Sequence, residues 1–188
     1  MQQRAINIRQ AIKDDAPFIA QAVAIAIGDE NAMKEYCGED YISLLRKIAE
    51  NKMSQYSYTN SLVAEINGTV VGAVVGYDGA NLHELRATTY SIIYDELGRT
   101  PSIPDETETG EFYLDSIAVF PEYRRLGIGK ELVNAVKEKA FSHGHKRVGL
   151  IVDSENPRAE ALYASLGFVC VGTKMFFGHK MLHMQSCK

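Results

Sequence analysis

The sequence predicts an α/β fold with mixed α+β character, a β-sheet layered with helices. Three observations carry that prediction. Strand-patterned runs lie before, between and after helix-patterned runs, so sheet and helices share one core. Phe112–Val119 and Lys146–Asp153 are strand-length apolar runs on either side of a helical run, Ile128–Phe141, the arrangement of a βαβ unit with two parallel strands. Ser61–Ile66 and Val70–Tyr77 flank Asn67-Gly68, the strongest short hairpin signal.

The elements follow in order. Ala5–Arg9 alternates apolar and polar residues, as a half-buried strand does. Asp14-Asp15-Ala16-Pro17 opens a helix that runs to about Ile27 and stops at Gly28. A second helix spans Asp40–Asn51, with Ile42, Leu45, Ile48 and Ala49 on one face. After the hairpin, His83–Leu97 is helical and Thr100–Gly110 is an acidic, solvated loop. The helix from Ile128 carries Ile128, Leu132, Val136 and Ala140 at steps of four, and Gly144 ends it. Asn156 and Pro157 are the cap and first residue of a further helix, closed at Gly167. Phe168–Thr173 and Met175–Met184 are the last strands, paired with each other.

Composition bounds the function. A chain of 188 residues, 46% hydrophobic and 23% charged, fits one domain over 1–188 with a core of ordinary size. A net charge of −4 with no long basic run argues against a nucleic-acid partner. Ala16–Ile27 is the longest apolar stretch and is too short to span a bilayer. The first residues lack an uninterrupted apolar segment, so no secretory leader is expected. Cys37, Cys170 and Cys187 are odd in number and far apart, which suits reduced thiols in a cytoplasmic protein; Cys170 is expected in the core. No His/Cys cluster has metal spacing, so no metal is expected, and His179 and His183 read as exposed polar positions.

The most informative segment is Arg124-Arg125-Leu126-Gly127-Ile128-Gly129-Lys130, between a strand and a helix. A helix start leaves N–H groups unpaired and favours an anion; the glycines admit close approach, and the cations add charge. The Walker pattern fails at Arg124 and Glu131, and the dinucleotide fingerprint fails at Leu132. R-x-x-G-x-G remains, read on Arg124, Gly127 and Gly129. It resembles the acetyl-CoA loop of the GNAT acetyltransferase superfamily. Downstream, Asn156, Ala159, Tyr163, Gly167 and Phe168 resemble that superfamily's second signature, N-x-x-A-x-x-x-Y-x-x-x-G-F, at the expected separation. The resemblance covers the chain from about Ser61 onward.

That resemblance implies a twisted mixed sheet whose central parallel strands splay apart to admit acetyl-CoA. Ile117 and Val119 then offer strand backbone to the pantetheine arm, with the small Ala118 between them. The amides of Arg125, Leu126, Gly127, Ile128, Gly129 and Lys130 take the pyrophosphate. Asn156 bonds the pantetheine or caps its own helix, and the Val119 N–H points at the thioester carbonyl. Tyr163 is the general acid for the leaving thiolate. A base must also unload the amine, because an alkyl amine is roughly 99.9% protonated at pH 7. Glu111, Tyr113 and Asp115 share the strand parity of Ile117 and are expected on one side. Asp115 is the first candidate base and Glu111 the second.

The expected activity is transfer of the acetyl group to a primary amine by direct attack in a ternary complex. The alternative is a non-catalytic acyl-CoA-binding module. The acceptor pocket is expected from Ile27–Gln55 and Gly79–Gly110, with Tyr77, His83, Tyr90 and Tyr94 as candidate lining and the acidic loop as a cover that attracts a cation. A homodimer through the terminal strands is a further expectation.

Overall fold

The computed structural model describes residues 5–176 and 178–188. Seven strands form one sheet: β1 (Ile6–Gln10), β2 (Ser61–Ile66), β3 (Thr69–Asp78), β4 (Phe112–Val119), β5 (Arg147–Asp153), β6 (Val169–Phe176) and β7 (His179–Cys187). Their spatial order is β1-β2-β3-β4-β5-β7-β6. Six helices flank it: α1 (Ala16–Ile27), α2 (Glu30–Cys37), α3 (Tyr41–Glu50), α4 (Leu82–Leu97), α5 (Ile128–Ser142) and α6 (Pro157–Ser165).

Every neighbouring pair is antiparallel except β4 with β5. That pair is the expected parallel unit, and α5 is its crossover. Residues from α1 to α4 pack with Val63, Ala73, Val75 and Tyr77 on one face of the sheet. The other face is covered by α5, whose stripe Ile128, Leu132, Val136 and Ala140 is fully buried as its spacing predicts.

Four expectations change. Helix α2 was not legible in the periodicity; Asp29 caps it by accepting from the Asn31 and Ala32 amides, and Met33, Tyr36 and Cys37 are its buried face. The final hairpin is offset from the expected bounds: β6 continues to Phe176 and β7 starts at His179, and Phe177 of the expected Met175–Met184 strand lies outside the described residues. Cys170 is exposed, because β6 is an edge strand whose apolar residues Val169, Val171 and Met175 also face outward. His183 is buried rather than exposed, since its strand β7 lies inside the sheet between β5 and β6.

Candidate active site

The chemistry gathers where β4 and β5 part. Their register holds only at Phe112 with Val148 and Tyr113 with Gly149; beyond that the parallel strands diverge. A cavity of about 920 Å³ occupies the opening. Its walls include Asp115 and Ile117 from β4, Leu150 and Val152 from β5, and Asn156 and Tyr163 from α6.

A break in strand regularity aims the β4 side chains. Val75 faces Ser116 and Gly76 faces Leu114, so Asp115 is an extra residue, a β-bulge. The bulge inverts side-chain parity. Tyr113 lies in the core beneath α1–α4, whereas Ile117 and Val119 pack toward α5. The expectation that Glu111, Tyr113 and Asp115 share the face of Ile117 is therefore corrected: period-two alternation does not survive an inserted residue. Past the bulge, the Phe120 amide donates to the Val71 carbonyl at 2.9 Å. Antiparallel pairs alternate between bonded and non-bonded, so the main-chain groups of Ile117 and Val119 turn away from β3, toward the opening.

The Arg124–Lys130 segment sits at the far end of β4, outside the cavity walls. Gly127, at φ 83°, precedes α5 in the left-handed region, and Arg125 is also left-handed at 66°. These turns present the amides of Arg125 to Lys130 in succession, and among the described residues no main-chain carbonyl takes them up. A Cβ at Gly129 would lie 3.7 Å from Val119 Cγ2, so the loop abuts the strand end directly. The Arg124 Nε donates to the Val119 carbonyl at 3.3 Å. Ala118 faces the core with 6% exposure rather than the opening.

Helix α6 carries two expected residues. Asn156 caps it, its Oδ1 accepting from the Ala159 amide at 3.1 Å, and also lines the cavity. Tyr163 stacks edge-on against Phe168 with centroids 5.8 Å apart. Burial pushes its hydroxyl up to about 12.

The two candidate bases separate. Asp115 lies on the cavity wall. It accepts from the Tyr77 hydroxyl at 2.6 Å, the Gln55 Nε2 at 2.9 Å and the Ser116 hydroxyl at 2.7 Å. Burial raises its carboxyl, against the pull of those donors. Glu111 is not on that wall. It is 1% exposed and accepts from the Thr107 hydroxyl at 2.7 Å, His183 Nε2 at 2.9 Å and Gln185 Nε2 at 2.7 Å. A Cβ at Gly149 would collide with its carboxylate, so glycine there makes room for it.

In its place the structure brings in Glu106, from the loop expected to be solvated. Glu106 is 3% exposed and lines the cavity. Arg86 of α4 pulls the loop inward, binding Asp105 at 2.7 Å and pairing closely with Glu106. Gln55, wholly buried, donates to Glu106 Oε1 and Asp115 Oδ2, each at 2.9 Å, and so bridges the two carboxylates. No local pattern marks this network, because its members come from five separate segments: Gln55, Tyr77, Arg86, the loop at Asp105 and Glu106, and Asp115. Tyr77 belongs to it, whereas His83 and Tyr94 are not on the cavity wall and Tyr90 packs against the core.

A mixed sheet parted between two central parallel strands, with an anion-ready helix start at one end of the split, is the architecture of acyl-CoA-dependent acetyltransferases. The acetyltransferase (GNAT) family model matches residues 30–168, and the chain belongs to that family. A crystal structure of an acetyltransferase superposes with TM-score 0.82 at 33% identity, covering 96% of this chain and 98% of that one. An N-acetyltransferase from Staphylococcus aureus Mu50 gives TM-score 0.81 at 25% identity over 95% of this chain and 99% of that one. The mycothiol acetyltransferase of Paenarthrobacter aurescens (strain TC1) is 35% identical over 95 residues, 50% of this chain but only 27% of that protein. The chain thus spans about a quarter of that relative's length. No helix among the described residues is long and apolar enough to cross a membrane.

Proposed function

We propose that the protein transfers the acetyl group of acetyl-CoA to a primary amine by direct attack in a ternary complex. The observation that carries this reading is the split between β4 and β5, with unpaired amides at one end and carboxylates on its wall. Acetyl-CoA supplies an acetyl group activated as a thioester. The amides of Arg125 to Lys130, with the Arg125 and Lys130 charges, suit its pyrophosphate. The β5-facing groups of Ile117 and Val119 suit amide partners along the pantetheine, and the Val119 N–H suits the thioester carbonyl.

The cavity wall favours a cationic acceptor. It carries Asp29, Glu30, Glu106, Asp115, Asp153 and Glu155, and among its described residues no Lys or Arg. Direct transfer is supported by the cysteines. None lines the cavity, and burial pushes the Cys37 thiol up to about 12, too high for a ready nucleophile. The exposed apolar edge of β6 is the surface that a homodimer through the terminal strands would use.

Tyr163 acts by holding its proton. With its hydroxyl pushed up to about 12, above the roughly 8.5 of a thiol, Tyr163 does not readily give its proton up fully to the thiolate. Its role in this reading is a hydrogen bond to the sulfur as negative charge develops. Tyr163→Phe is expected to lower kcat about 10²-fold while acetyl-CoA affinity holds. An unchanged kcat would remove Tyr163 from the mechanism.

The reading is tested by calorimetric titration with acetyl-CoA beside NADH and ATP, followed by an amine screen that detects free thiol. Micromolar binding of acetyl-CoA alone, with thiol release by an amine, is the expected result. Binding without turnover would point to an acyl-CoA-binding module, and no binding would end the reading.

A further inference from the structure

We propose that Glu106 is the residue that takes the proton from the attacking amine, with Asp115 as the carboxylate that positions and tunes it. The proposal rests on the acetyl-transfer reading above and names a group in the same site.

Geometry distinguishes the two carboxylates. Asp115 takes three donors, Ser116 on Oδ1 and Tyr77 and Gln55 on Oδ2, against two for Glu106. Glu106 directs Oε2 to Arg86, while Oε1 receives only the Gln55 amide at 2.9 Å. Oε1 therefore keeps acceptor capacity on a residue of the cavity wall. Gln55 carries two amide protons, yet its Nε2 lies within 3.0 Å of three acceptors, Tyr77 Oη, Glu106 Oε1 and Asp115 Oδ2. Two carboxylates held this close by one amide do not readily ionise together, so the pair favours holding one proton.

The groups facing Glu106 set its affinity for that proton. Asp115 and Tyr113 stand on β4, Tyr77 on β3, Arg86 on α4 and Tyr56 in the turn after α3. Lys174 of β6 donates to its main-chain carbonyl, and the neighbouring Asp105 is held by Arg86 and His83. Burial and Asp115 outweigh Arg86 and push Glu106 from 4.5 to about 7. A carboxylate so raised accepts an ammonium proton roughly 300-fold more readily than one at its ordinary value. Half of it remains ionised near pH 7, where a base is most useful.

The step balances. An ammonium nitrogen loses two protons on becoming an amide. One breaks from nitrogen to Glu106 Oε1 and frees the lone pair that forms the C–N bond. As the C–S bond breaks, the sulfur keeps its electron pair and the second proton ends on it. Glu106 returns its proton to solvent between turnovers.

Two readouts on the full chain test this. In the first, carbon-13 NMR of carboxyl-labelled glutamate follows titration. One glutamate is expected to titrate near pH 7, to be absent in Glu106→Gln, and to move to lower pH in Asp115→Asn, which removes the like charge. In the second, thiol release from acetyl-CoA is followed with n-butylamine, 1,4-diaminobutane, lysine methyl ester and a short peptide. Glu106→Gln is expected to lower kcat/KM about 10²- to 10³-fold at pH 7 and to abolish the acid limb of the pH profile, with acetyl-CoA affinity unchanged. Glu106→Asp should restore part of the rate. If Glu106→Gln keeps the acid limb and Asp115→Asn loses it, the base is Asp115 and the proposal is wrong. An active wild type with an unaffected Glu106→Gln sinks the proposal alone. A wild type that releases no thiol with any of these amines sinks the acetyl-transfer reading, and the proposal with it.

Discussion

Gly127→Glu is expected to weaken acetyl-CoA binding by at least about 100-fold, or about 2.7 kcal/mol, when followed by calorimetric titration. The reason lies in what surrounds the glycine. A Cβ built at Gly127 meets no atom within 4 Å, so the new side chain does not collide with the protein. It enters the space in front of the amides of Arg125 to Lys130, and its charge opposes the anion that a helix start attracts. The residue also sits at φ 83°, so any L side chain carries some strain. Gly127→Asn separates the contributions, because Asn tolerates the left-handed region and adds no charge. It should cost less than about tenfold. If Gly127→Glu keeps its affinity within about threefold, the loop does not hold the pyrophosphate.

Glu111→Ala is expected to destabilise the fold by about 3–5 kcal/mol, the cost of removing a buried, hydrogen-bonded carboxylate from its partners. For a chain of this size that lowers Tm by about 6–20 °C. The loss is large because Thr107, His183 and Gln185 all direct donors at this carboxylate, and its truncation empties the space over Gly149 that the carboxylate fills. Burial alone would raise the Glu111 carboxyl. The donors from His183, Thr107 and Gln185 overcome it and hold the group below its ordinary 4.5. The sign follows from linkage. A depressed folded value contributes stability that is complete above the unfolded value of 4.5 and is lost as pH falls through the folded one. Urea midpoints measured below pH 4.5 should fall for the wild type, and Glu111→Gln should lack that component. Because Glu111 is not on the cavity wall, folded Glu111→Gln should keep kcat. A hundredfold loss of kcat at full stability would restore it as the base.

The two residues that sequence parity grouped, Glu111 and Asp115, thus do different work. The grouping assumed that β4 alternates without interruption. The bulge at Asp115 is invisible in a run such as Phe-Tyr-Leu-Asp-Ser-Ile-Ala-Val, because it arises from the register against β3 rather than from local propensity. His183 shows the same limit. Its alternation in β7 reads as an exposed position, yet its strand lies between two others. Cys170 errs in the opposite direction, because an apolar strand at the edge of a sheet looks like an interior one.

The sequence by itself determined the features made by neighbours in the chain: the Asn67-Gly68 turn, the α5 stripe, the Asn156 cap with Pro157, and the glycine-arginine loop that marks the family. Each depends on backbone conformation and hydrogen bonds within a few residues, so spacing alone specifies it. Only the tertiary structure decided which carboxylates meet. Glu106 reaches Arg86 across 20 positions, and Gln55 reaches Glu106 across 51 and Asp115 across 60. Burying such charges is costly unless distant partners arrive together, and that condition belongs to the folded chain as a whole.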